Sequence, residues 1–243
     1  MSEDERSVSL PLPIKDAPHW RVNIRPGNFE SERIPTLGEC WEMVNGSRVS
    51  LRGWDYPHVD RQHQAQGRNW IASWSEFRSH REYWRFYQSG QFLHLLSFQE
   101  DAFRARAEQR AKVEIYDWPD DFTPSGYLEV VMALWTITEV FEFAARLAAR
   151  GILGASASVG IEMVDIKDRV LFILDPGRWW DGLYAASKQT LGKSWPIDKN
   201  LLLTNSSDLA LDASVWFFER FGWLEIPRDI LANDQRRLLE KRF

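Results

Sequence analysis

The sequence predicts an α+β fold, a mostly antiparallel sheet packed against one long central helix and two C-terminal helices. Three observations predict it. Short segments that alternate apolar and polar residues crowd the first half of the chain. One stretch, residues 126–150, repeats its apolar residues at helical spacing. Two more helical patterns come late, and strands in runs followed by helices favour α+β over a doubly wound sheet.

The elements follow in order. Residues 1–18 hold Pro11, Pro13 and Pro18 among few apolar side chains and read as a flexible leader. Residues 19–243 form a single domain, and 102–124 is the one stretch where two lobes would divide. Trp20–Arg25 alternates as a half-buried strand, stopped by Pro26-Gly27-Asn28. Thr36 with Glu39 three residues on is a capping box, opening a helix with Leu37, Cys40, Trp41 and Val44 on one face and Asn45-Gly46 at its end. Arg48–Arg52 reads as a strand and residues 55–68 as a polar loop. Trp70–Phe77 fits a strand or a short helix. Tyr83–Tyr87 and Gln91–Phe98 form strands around the turn pair Ser89-Gly90. The second of these is apolar on both faces, which places it centrally in the sheet.

Asp101–Lys112 reads as a short exposed helix or mobile insert, Val113–Tyr116 as a strand and Asp117–Pro124 as a loop. Ser125 caps the long helix, Glu142 and Arg146 pair on its wet side, and Gly151 and Gly154 end it. Ser158–Val164 and Arg169–Leu174 read as a hairpin across residues 165–168, and Pro176-Gly177 follows. Leu201–Thr204 reads as the last strand. Ser206 or Ser207 caps a helix that Gly222 terminates, and Pro227 opens the final helix.

Composition excludes several classes. A single cysteine, Cys40, rules out an internal disulfide and suits a reducing cytoplasm. The acidic start, Met1 to Arg6, does not read as a secretory signal, and no apolar run reaches the roughly 18 residues of a membrane span. A net charge of −5 argues against a generally basic nucleic-acid binder. There is no phosphate-binding glycine loop and no nucleophile elbow, and Cys40 falls on a core face. No cofactor is expected.

The densest chemistry lies between residues 52 and 98. Arg52, Trp54, Asp55, His58, His80, Trp84, Arg85 and Gln88 are the expected binding residues, because Trp, Tyr and Arg cover large areas where surfaces recognise partners. The same residue types also build ordinary cores, and His94 on an apolar face reads as a core histidine. Asp55, His58, Asp60 and His63 offer metal-ligand chemistry, but a five-residue separation of the histidines misses helical zinc-site spacing, and a turn held by side-chain bonds explains them equally. Glu162, Asp165, Lys167 and Asp168 loosely match the acidic-x-lysine half of a nuclease site, at a place where the chain must turn anyway.

The motifs Arg52-Gly-Trp-Asp-Tyr-Pro-His58, Tyr83-Trp-Arg-Phe-Tyr-Gln-Ser-Gly-Gln-Phe92, Phe141-Glu-Phe-Ala-Ala-Arg146 and Phe218-Glu-Arg-Phe-Gly-Trp223 together resemble a group of little-characterised bacterial proteins. In some of those, a similar region accompanies a schlafen-like AlbA-type putative DNA-binding domain. The resemblance runs from about Trp20 to Trp223, includes no catalytic motif, and leaves out the schlafen-like domain itself. It implies a sensor or accessory module of a regulatory or defence-type system.

The leading expectation is a non-enzymatic binding module that recognises a protein or nucleic-acid partner, or a second copy of itself, with no membrane. The alternatives are a metal-dependent hydrolase or nuclease, and an obligate structural subunit of a complex.

Overall fold

The computed structural model of the chain describes residues 13–77, 80–114, 119, 121–175, 177–178, 180 and 182–241. It is α+β, with a seven-stranded antiparallel sheet, a separate two-stranded sheet and five α-helices among those residues. The large sheet contains β1 (His19–Pro26), β2 (Gln64–Gln66), β3 (Trp70–Phe77), β4 (His80–Tyr87), β5 (Phe92–Ser97), β7 (Ser156–Val164) and β9 (Thr190–Asp198). Its strand order is β2-β3-β4-β5-β1-β7-β9, so β5 takes the central place that its two apolar faces predict. The β4–β5 hairpin turns at Ser89-Gly90, where Gly90 has the positive φ that the tight turn requires.

Register sorts the side chains into two faces. Ile71, Trp84, Phe86, Phe92, Val22, Ile24, Val159 and Ile161 lie on one and belong to the main core. Helices supply the facing side of that core. Trp41 of α1 (Leu37–Ser47) meets Trp84 edge-on at 5.5 Å, and Phe143 of α3 (Val130–Ala149) packs on Phe92 at 4.7 Å. Phe217 of α4 (Lys199–Arg220) meets Trp20. α3 also packs along α4 and against α5 (Arg228–Leu239). The expected capping box is present: Thr36 Oγ1 accepts from the Glu39 backbone, and Glu39 accepts from the Thr36 backbone N–H.

Several elements differ from expectation. Ser125 does not cap the long helix. Gly126–Glu129 is a strand, β6, which pairs in parallel with β8 (Arg169–Phe172). Glu129 is the cap, accepting from Met132 N at 2.6 Å. β8 therefore leaves β7 instead of forming a hairpin with it. The turn between them carries positive φ at Asp165 and Asp168. Thr190–Asp198 is an unanticipated edge strand, and Leu201–Thr204 lies inside α4, which starts at the Asp198 cap. The cap expected at Ser206 or Ser207 adjoins a real break, since Asn205 departs from helical geometry. Arg48–Arg52 forms only a single bridge, Val49 to Tyr56. Val113 and Glu114 end α2 (Arg104–Glu114), and the rest of the expected strand at 113–116 lies outside the described residues. Glu142 accepts from Ser206, while Arg146 donates to the Arg48 carbonyl, so the expected pair is not made.

Glu129 ties α3 to the two-stranded sheet, since it also accepts from Leu174 N at 3.1 Å. Burial outweighs these bonds and pushes its carboxyl up to about 7 from 4.5. The folded chain therefore holds a proton that the unfolded chain has lost. Stability is expected to fall as pH rises from 4.5 through 7, by about 2–4 kcal/mol. Glu129→Gln should lower stability somewhat at pH 5 and flatten that slope. Urea melts at pH 5, 6 and 7 check it, and an unchanged slope would contradict it.

Candidate functional site

The expected binding stretch is divided by the sheet into two environments. On the helix side, Glu82 is 2% exposed yet carries the local chemistry. Its Oε1 accepts from the His58 backbone N–H at 2.8 Å and lies 3.0 Å from His94 Nε2. Its Oε2 accepts from Trp54 Nε1 at 3.0 Å and lies 3.6 Å from His80 Nε2. His94 Nδ1 in turn lies 3.0 Å from the buried Tyr56 hydroxyl. Burial alone would raise the Glu82 carboxyl. Its neighbours His80, His94 and Trp54 outweigh that and hold it well below the usual carboxylate range. Burial and the charges of Glu82 and Glu139 push Tyr56 the other way, well above its ordinary value.

Most of the expected residues on this side have structural partners. Trp84 is fully buried and donates to the His58 carbonyl at 2.6 Å, so it faces the core and not a surface. Arg52 grips Glu139, at 2.8 Å from Nη2, and Thr136. Asp55 pairs with Arg48 at 2.8 Å and with Ser50. Gln88 donates to the Ile34 and Pro35 carbonyls, pinning the loop before α1 to the β4–β5 hairpin. Trp54 and His58 stack at 4.1 Å, with His80 edge-on to the indole, as a half-buried rim over Glu82.

The metal-ligand candidates do not converge. Asp60 pairs with His63 at 2.8 Å while Asp55 and His58 are engaged elsewhere, and among the described residues no group of three or more suitable side chains could hold a metal ion. Glu162 pairs with Arg21, and Asp165 accepts from Gln189. Cys40 is buried, and burial followed by the nearby Glu39 charge raises its thiol to about 11, far from a reactive thiolate.

Arg85 alone of the expected residues lies on the other face of the sheet. Its guanidinium sits 4.1 Å from the Trp70 ring centroid and donates to the Tyr83 and Tyr87 hydroxyls at 3.0 and 3.4 Å. Register places Trp70, Ala72 and Trp74 of β3 beside Tyr87, Arg85 and Tyr83 of β4. The face continues through Leu93, Leu95, Arg21, Asn23, Arg25, Ser158 and Pro196 across the remaining strands. Its outer parts are exposed or half-buried, and at one end it hollows into a groove of about 560 Å³ beside Arg25, Phe29 and Pro196. Arg25 makes no ion pair among the described residues, while Arg21 and Arg81 are neutralised by Glu162 and Glu76.

The centre of this face is covered by the segment that precedes β1. Pro13–Asp16 makes one 3₁₀ turn, and Ile14, 1% exposed, packs on Ala72, Tyr83 and Leu95 between Trp70 and Trp74. Ile14, inside the stretch expected to be a flexible leader, lies against the sheet. Among the described residues no hydrogen bond or ion pair joins Pro13–Asp16 to the strands. The segment is held by burial of one side chain, worth about 1.5–3 kcal/mol.

Sequence reasoning missed Glu82, Trp70 and Trp74. For the two tryptophans the signal was present, since β3 alternates Trp70, Ala72, Trp74. For Glu82 there was none, because its donors come from residues 12 to 28 positions away in two separate segments. No family model, curated protein or solved structure matches the chain. No described helix is long and apolar enough to cross a membrane.

Proposed function

We propose that the chain is a non-enzymatic bacterial binding module that recognises a protein partner through the face of its sheet that bears Arg85, around the segment that covers its centre. The observation that carries this reading is the group of Arg85, Trp70, Trp74 and Tyr87 on a face whose small core takes in no residue of the five α-helices. In this reading α3 is the central helix, and with α4 and α5 it backs the sheet on the opposite side. Rigid aromatics around an arginine are the side chains on which protein recognition most often concentrates. Charge favours a protein over a nucleic acid. The net charge is −5, and two of the arginines on the face are already paired. Few cations remain there to release counterions from a phosphate backbone. Arg25 in its groove would take an acidic group of the partner. A place in a regulatory or defence-type system of the cytoplasm is what the resemblance to proteins whose similar region accompanies a schlafen-like domain would imply.

The test is affinity recovery of partners from lysate of the source organism with wild-type protein and with Trp74→Ala/Arg85→Ala. Partner recovery should fall by about tenfold or more, since hot-spot truncations cost 2 kcal/mol or above. Undiminished recovery by a variant with a wild-type melting curve would reject this surface. Recovery of the same chain instead of another protein would make the surface a self-association face.

A further inference from the structure

Resting on that reading of the Arg85 face, we infer that the seat of Ile14 is the partner's anchor pocket. The leader is its built-in, displaceable occupant. The ligand class is an extended protein segment that presents a branched aliphatic side chain beside proline, as the leader itself does in Leu-Pro-Leu-Pro-Ile14.

The pocket arises from residue size. Ala72 stands between Trp70 and Trp74 on one face of β3, and two large rings flanking one methyl leave a notch. Tyr83 of the adjacent β4, and Leu95 of β5 paired beyond it, close its floor. The notch suits one branched side chain, and Ile14 fills it to 1% exposure. The rest of the turn adds little, because Pro13, Lys15 and Asp16 are exposed and bond to no strand. Burial of one isoleucine favours the docked leader by about ten- to a hundredfold. Short tethering gives the leader an effective concentration of about millimolar, so an outside segment with the same anchor competes only if it brings further contacts. Half-buried Trp70, Trp74 and Arg85 surround the notch and supply them. The leader would thus set a threshold: it excludes segments that offer only a greasy side chain and yields to one that also engages the rings.

The experiment uses the full chain and a fluorescent peptide of residues 8–18. By anisotropy, the peptide should bind Ile14→Asp protein at least about tenfold more tightly than wild type. A peptide carrying the same Ile14→Asp change should bind neither. In wild type, an excess of the same peptide carrying Lys15→Arg, which lysyl endopeptidase does not cut, should speed cleavage of the protein after Lys15, a readout that needs no protein variant. Absence of binding to a cooperatively melting Ile14→Asp protein would overturn the pocket. If that variant does not fold, unaltered Lys15 cleavage at millimolar peptide would overturn it. Failure of the peptide, alongside partner loss in Trp74→Ala/Arg85→Ala, would sink the anchor pocket alone. Undiminished partner recovery would sink the face reading itself.

Discussion

Replacing Glu82 with alanine is expected to cost about 3–5 kcal/mol of stability, because it removes one side of a buried charged cluster and strands the other. Three groups lose their acceptor: the His58 backbone N–H, the Trp54 indole and His94. For a chain of this length the melting temperature should drop by about 6–20 °C. Calorimetry of the purified variant measures it, and a drop of only a degree or two would mean that water replaces the carboxylate without cost. The pH dependence has a definite sign. The Glu82 carboxyl is held down in the fold, so its contribution is present above the unfolded value of 4.5 and is lost as pH falls below it. Glu129 acts in the opposite sense above 4.5. Glu82→Gln should therefore remove part of the acid-side loss and leave the Glu129 slope intact.

Trp84→Ala should be equally severe, about 3–5 kcal/mol, through a large cavity beside Trp41 and Phe92 and an unfilled bond to the His58 carbonyl. Its neighbour Arg85 points the other way along the strand. Arg85→Ala removes a cation–π contact worth about 0.5–1 kcal/mol at an accessible site. Paired chemical denaturation curves should thus separate two adjacent residues by at least about 2 kcal/mol. Similar losses at both positions would contradict the assignment of their faces. Trp84 is accordingly a poor probe of recognition, since any loss of binding would report unfolding.

That contrast shows how far the sequence could be read. Where local periodicity and partner agree, as in β1, β4 and β5, the alternation of Trp20, Val22 and Ile24 already tells strand and inward face. The Thr36–Glu39 box was equally readable, because a capping bond is local. Alternation alone could not say which face is the core when both carry rings, and Trp84 and Arg85 fell together for that reason. β9 contains Gly192 and Pro196, both unfavourable within strands, so local pattern does not mark it. Its nine-residue pairing with β7 makes it a strand. Leu201–Thr204 shows the reverse, an apolar run too short to distinguish strand from helix until Asp198 caps it. Gly126–Glu129 continued the helical pattern of the residues after it, and only its parallel partner, Arg169–Phe172, marks it as extended.

The margins of the large sheet explain how a protein can afford a ringed, partly greasy side. At one margin β2 offers three residues, too few to seed growth. At the other, β9 carries Pro196, which has no N–H to donate, and the exposed, charged Lys193, both unfavourable to pairing with a further strand. Both features disfavour edge-to-edge addition of a further strand, so a partner is expected to approach the ringed face instead.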